Sequence, residues 1–193
     1  MKTADYVRRI ENSYENVAKT LFNELKGEEE AIFNLNGEES LFVRFNRSQI
    51  RQNIFVQQAF VRFQLQNSKT MTKATWTLTG DSEIDVREAR LMLGRLRAEL
   101  EFLPADPHLV KLENHGHSHD DKPSLRHDED IVEEIIEETK TSDMAGLFAG
   151  GPLFVANKNS NGQSHWFSSS NFFFDYSLYH QQKAVTGVVA GRS

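Results

Sequence analysis

The stretch LFVRFNRSQIRQNIFVQQAFVRFQLQNSKTMTKATWTL, residues 41–78, carries three apolar alternations separated by polar turns. Leu41, Val43 and Phe45 share one face of an extended chain, because successive strand side chains point to opposite sides. Asn46-Arg47-Ser48 then turns the chain. From Gln49 to Gln66 the alternation resumes, with Phe55, Ala59, Val61, Phe63 and Leu65 on one face. That run exceeds the usual strand length, which predicts a bend or bulge near Gln52-Asn53. Asn67-Ser68-Lys69 turns into Met71–Thr79, where Ala74, Trp76 and Leu78 alternate with polar residues. Upstream, Ala31–Leu35 leads into Asn36-Gly37, a dipeptide suited to hairpin turns. The whole reads as an antiparallel meander of about four strands with one face buried.

Helices flank this meander. Val7, Ile10, Tyr14, Val17 and Leu21 recur at steps of three and four, giving one apolar stripe that Gly27 closes. Downstream, Asp81 or Ser82 caps a second helix whose seam is Val86, Ala89, Leu93, Leu96, Leu100 and Leu103, ended by Pro104 and Pro107. Residues 1–105 are therefore expected to form a complete α+β domain, helix–antiparallel meander–helix, able to fold alone.

The 193 residues are 38% hydrophobic and 26% charged, ordinary globular usage. No run approaches the length of a membrane helix, the first residues carry no secretory signal, and cysteine is absent, so a cytoplasmic location is expected. The formal charge of −6 is uneven: Glu113 to Asp143 holds 11 acids against 3 bases. A chain without a basic stripe lacks the usual footprint for nucleic acid, so neither nucleic acid nor membrane is expected as a partner.

Residues 106–127 read as a flexible His/Asp-rich linker around His115-Gly116-His117-Ser118-His119-Asp120-Asp121. Residues 128–193 read as the beginning of a second α+β domain, cut short. An acidic helix with the stripe Ile131, Val132, Ile135 and Ile136 comes first, followed by strands at Leu153–Asn157, Ser164–Tyr179 and Ala184–Ala190. Nine aromatics fall between Phe148 and Tyr179. A domain that ends with its sheet uncovered predicts a homodimer or a related subunit docked through residues 146–190.

Chemistry is sparse. His115, His117 and His119 are the metal candidates, since imidazole is a common ligand, but a loop carrying Gly116 and Ser118 holds no ring rigidly. No tight zinc site is expected. Gly146–Gly151 lacks a phosphate-loop lysine, and His165 near Ser168, Ser169 and Ser170 lacks a nucleophile-elbow pattern, so those serines read as exposed strand residues. No catalytic residue is assigned. Asn161, His165, Trp166, Phe172 and Phe174 are the candidates for an interface or peptide groove.

Phe42-Val43-Arg44-Phe45-Asn46-Arg47-Ser48-Gln49-Ile50-Arg51-Gln52 resembles the first-domain hairpin of the TldD/PmbA family. A longer stretch is similar to that family's middle region. It runs from Gly146-Leu147-Phe148-Ala149-Gly150-Gly151 through Ala156-Asn157 and Asn159-Ser160-Asn161-Gly162, and on to His165-Trp166 and Ser170-Asn171-Phe172. Phe174-Asp175-Tyr176-Ser177-Leu178, Ala184-Val185 and Ala190-Gly191 continue it.

The resemblance implies the N-terminal portion of a longer protein, nearer the PmbA (TldE) branch. It also implies proteolysis of peptides by a zinc metallopeptidase, in which metal-activated water attacks the peptide carbonyl. The H-E-x-x-x-H helix that binds zinc in the catalytic branch is absent from this sequence; His115 and His119 have its outer spacing, but Gly116 stands where the glutamate belongs. No cofactor is therefore assigned to this chain, and any zinc belongs to a full-length family partner. The alternative is a non-enzymatic module that docks a partner through its aromatic second half. The family's association with DNA gyrase modulation gains no support from the charge distribution.

Overall fold

The computed structural model describes residues 3–122 and 128–192, so the last residues of the expected linker, 123–127, lie outside the described residues. The fold is mixed α+β. In chain order it runs α1 (Thr3–Asn23), β1 (Glu30–Asn46), β2 (Gln49–Gln66), β3 (Met71–Thr77), α2 (Ser82–Leu100) and β4 (His117–Asp121), then α3 (Asp128–Thr139), β5 (Asp143–Asn159), β6 (Ser164–His180) and β7 (Lys183–Arg192). The strands form one sheet in the order β3-β2-β1-β5-β6-β4, with β7 also paired to β6.

Pairing is antiparallel between β2 and β3, where Val61 faces Trp76, and between β6 and β7, where Phe174 faces Val189. Short β4 is the exception. Ser164 N–H donates to Gly116 O, while Lys122 N–H donates to Ser168 O, so β4 and β6 advance in the same direction.

Two expectations change here. Asn36-Gly37 does not turn the chain, because β1 runs unbroken through it. Gly37 is needed for space: a Cβ there would lie 2.1 Å from the Phe154 ring. Gly146–Gly151 forms part of β5, and a Cβ on Gly151 would lie 2.0 Å from Glu39 O. The histidine segment is not a mobile loop throughout, since His117–Asp121 is a strand.

Two compact units follow the long strands rather than chain order. Unit 1 comprises residues 1–37, 58–120 and 154–167; unit 2 comprises 38–57, 121–153 and 168–193. Neither coincides with the division at 105 and 128 read from the sequence.

In unit 1, α1 contributes Ile10, Tyr14, Val17 and Leu21 to a core with Phe33, Leu35, Val61, Phe63 and Leu65. The seam of α2 adds Ala89, Leu93, Leu96 and Leu100, and β5 and β6 add Phe154, Ala156 and Trp166. Tyr14 stacks on Phe33 with centroids 4.8 Å apart and donates its hydroxyl to Phe33 O at 2.6 Å. Burial first, and the Glu15 charge second, push the Tyr14 phenol well above its ordinary range. Asp81 caps α2 by accepting from the N–H groups of Glu83 and Ile84.

In unit 2, Arg47 and Ser48 take φ of 53° and 55°, a two-residue hairpin turn between β1 and β2. Helix α3 lays Val132, Ile131, Ile135 and Ile136 over Val43, Phe45, Met144 and Phe148. Phe172, Phe174, Tyr176 and Leu178 pack against the same cluster, so the acidic helix covers aromatics that the sequence reading leaves bare.

Candidate functional site

Strand alternation in unit 1 creates the site. Phe33, Leu35, Val61, Phe63, Ala74, Trp76, Phe154, Ala156 and Trp166 point into the helix-covered core. Their neighbours along each strand must then face the other way. Those neighbours are Asn34 and Asn36 on β1, Phe60 and Arg62 on β2, Thr75 on β3, Val155 and Asn157 on β5, and His165 and Phe167 on β6. With Ser118 from β4 they line a cleft of about 530 Å³ on the sheet face away from the core.

The cleft is rich in amide groups. Asn157 donates to Asn34 Oδ1 and receives from Gln163 Nε2, forming a polar line across the sheet. Ser118 Oγ and His165 Nδ1 lie 2.8 Å apart. Among the described residues Arg62 has no ion-pair or side-chain hydrogen-bond partner. Phe60, Val155 and Phe167 supply exposed apolar surface between these polar groups.

Such a surface can pair amides with an extended backbone and seat alternate side chains. Among the described residues the His165 ring has Ser118 Oγ as its hydrogen-bond partner and no third group that orients it as a catalytic triad does.

Asn161, His165 and Trp166 belong to unit 1; Phe172 and Phe174 belong to unit 2. His165 and Trp166 both line the cleft. Trp166 is buried, stacking on Phe154 at 5.8 Å and on His119 at 6.2 Å. Asn161 holds a turn by donating to Glu30 Oε1 at 3.0 Å and Leu112 O at 2.6 Å. Phe172 and Phe174 are packing residues, and Phe174 meets Phe45 edge-on at 6.0 Å.

Ser168, Ser169 and Ser170 are buried rather than exposed, and Ser168 donates to Asp121 Oδ1 at 2.6 Å. Neither they nor His165 form a base–nucleophile pair with each other, because His165 is engaged by Ser118.

His119 Nε2 is 2.7 Å from Glu11 Oε1, and its ring lies on Trp166. His115 and His117 are exposed, with His115 N–H donating to Gln163 Oε1 at 3.3 Å.

Asn34, Arg62, Thr75, Ser118 and Asn157 escape the sequence reading of the site. For Asn34, Arg62, Thr75 and Asn157 the signal is present, each being the polar partner in an alternation whose apolar half marks the core; Ser118, in a strand without apolar residues, carries no such signal.

Solved structures share this fold. One is TldE from Thermococcus kodakarensis, with a TM-score of 0.57 and 15% identity over 94% of this chain and 42% of that one. Another is a candidate modulator of DNA gyrase from Bacteroides thetaiotaomicron VPI-5482, with a TM-score of 0.58 and 11% identity over 95% of this chain and 44% of that one. The chain thus spans less than half the length of these structures. At these identities the likeness is one of fold. No protein-family model matches the sequence, and no curated protein does. Among the described residues no helix is long and apolar enough to cross a membrane.

Proposed function

We propose that this chain is the N-terminal portion of a TldD/PmbA-type protein of the cytoplasm. In this reading it handles extended peptides for proteolysis and supplies none of the hydrolytic groups. The fold shared with TldE over 94% of the chain carries the reading. The amide-lined cleft on the sheet face supports the peptide role, because the side-chain amides of Asn34, Asn36 and Asn157 can pair with a peptide backbone beside the exposed apolar Phe60, Val155 and Phe167. A zinc centre, where the family uses one, belongs to other parts of the assembly.

The partner in this reading is a second copy or a related TldD/PmbA-type subunit. Its support is β7, where Val185, Val188 and Val189 are 68%, 62% and 49% exposed. Large apolar side chains grouped on an outer strand mark association surfaces. Sedimentation is expected to show a dimer that Val185→Lys with Val188→Lys converts to monomer; a stable wild-type monomer at high micromolar concentration opposes the self-association.

Fluorescence anisotropy with a labelled, unfolded ten-residue peptide tests the peptide role. Binding is expected to weaken about fivefold or more in Phe60→Ser and in Arg62→Ser, whose side chains lie outside the core. The peptide is expected to stay intact. Unchanged binding in both variants, or metal-dependent cleavage by the chain alone, contradicts the proposal.

A further inference from the structure

The hairpin motif that carries the family resemblance has a chemistry of its own in unit 2. The two-residue turn at Arg47-Ser48 closes Asn46 onto Gln49 and so sets Arg44 directly across from Arg51. Like charges opposite each other on one sheet face repel. Ordinarily a carboxylate relieves such a pair. Here, among the described residues, neither arginine has an ion-pair or side-chain hydrogen-bond partner.

Both arginines line a concavity of about 560 Å³ with Asn46, Ala145, Leu147, Asp175, Tyr176 and Ser177. Phe45 is buried in the unit 2 core, so Arg44 and Asn46 face away from it. The nearest acid across the sheet is Asp175 on β6, separated from Arg44 by β5 and its exposed Leu147. Two strand spacings, about 10 Å, separate the backbones, and among the described residues no ion pair joins Asp175 to either arginine, so it offsets their charge only in part.

We propose that Arg44 and Arg51 form a carboxylate-binding site on this face of unit 2, with Asn46 as an added donor. Guanidinium groups present paired N–H donors that match the two oxygens of a carboxylate. Asp175 in the same concavity leaves a local charge of one positive unit, which suits a monoanion and opposes a phosphate dianion. Leu147 gives an apolar seat beside the charge, as a peptide residue next to its terminal carboxylate requires. The site stands independently of the cleft in unit 1.

The test is a set of calorimetric titrations with four probes. They are an N-acetylated tetrapeptide free acid, its C-terminal amide, the amide with one internal aspartate, and inorganic phosphate. The free acid is expected to bind, and the neutral amide to bind at least tenfold more weakly, the loss that one charge-assisted contact represents. Recovery of binding in the aspartate-containing amide assigns the site to carboxylates in general; failure to recover assigns it to the chain terminus. Arg44→Gln and Arg51→Gln are each expected to weaken the free acid about tenfold.

Asp175→Asn guards against loss through misfolding, since it is expected to gain binding of both the free acid and phosphate. Equal affinity for acid and amide overturns the proposal. So does phosphate binding as tight as the peptide in the wild type, or undiminished binding in both arginine variants.

Discussion

Asp85 shows how one residue joins two helices and a turn within unit 1. It is 2% exposed and accepts from Ser13 Oγ at 2.6 Å, Thr79 N–H and Oγ1 at 2.9 Å, and Gly80 N–H at 3.0 Å. A buried carboxylate persists only when its oxygens are this fully engaged. Asp85→Ala strands those donors and is expected to cost about 3 kcal/mol in urea unfolding. Asp85→Asn is expected to cost less, because it keeps one acceptor. Gly37 acts by absence of a side chain. Gly37→Ala pushes into the Phe154 ring and is expected to cost about 1–3 kcal/mol, with Gly37→Ala/Phe154→Leu recovering part of it.

Glu29 and Arg97 add a pH dependence. Burial pushes the Glu29 carboxyl upward, but the Arg97 hydrogen bonds at 2.7 Å, the Lys26 N–H and both positive charges hold it below its ordinary range. A carboxyl depressed in the folded state contributes stability above its unfolded pKa of about 4.3, and that contribution disappears as pH falls through the folded value. Arg97→Gln is therefore expected to lower stability at pH 7 and to flatten its decline between pH 5 and 3. A wild-type slope in the variant contradicts the pairing.

At the scale of elements, periodicity was a good guide where one face meets a core. The stripe of α1, the seam of α2 and the alternation of β3 and of β2 from Ala59 onward are legible because burial repeats at a fixed step, whereas Phe55, read on the same face, is exposed. Local turn chemistry was a poorer guide. Asn36-Gly37 has the composition of a hairpin turn, yet its glycine serves a ring on a strand distant in sequence. The Gly146–Gly151 run likewise answers to close backbone approach, which no local pattern encodes.

The histidine segment reads as loop because it has no apolar period. Its order comes from pairing with β6 and from the contacts of His119 with Glu11 and Trp166, all far away in sequence. The cleft is half legible: the alternation of Ala59, Val61, Phe63, Leu65, Ala74 and Trp76 marks the core side, whereas Trp166 reads as an interface candidate and is buried in the core. Helix α3 yields an element-scale prediction. Replacing Ile131, Val132, Ile135 and Ile136 by serine uncovers Phe172, Phe174 and Tyr176, and is expected to raise binding of a hydrophobic dye several-fold while retaining most strand signal. No rise in dye binding contradicts the assigned cover.

For the molecule as a whole, chain order and compactness part company. The unit 1 core includes Phe154, Ala156 and Trp166, so a fragment of residues 1–105 lacks three of its buried side chains. Such a fragment is expected to unfold without a sharp transition, in contrast to the intact chain, because lost core aromatics cost about 3–5 kcal/mol each. The central claim is that this chain receives an extended peptide on the open sheet face of unit 1 and leaves it uncut. Amide-resolved NMR titration with an unfolded ten-residue peptide tests it most directly. The account predicts shifts concentrated at Asn34–Asn36, Phe60–Arg62, Val155–Asn157 and His165–Phe167, with the peptide intact afterwards. Shifts that avoid these four segments, or appearance of peptide fragments, would contradict it.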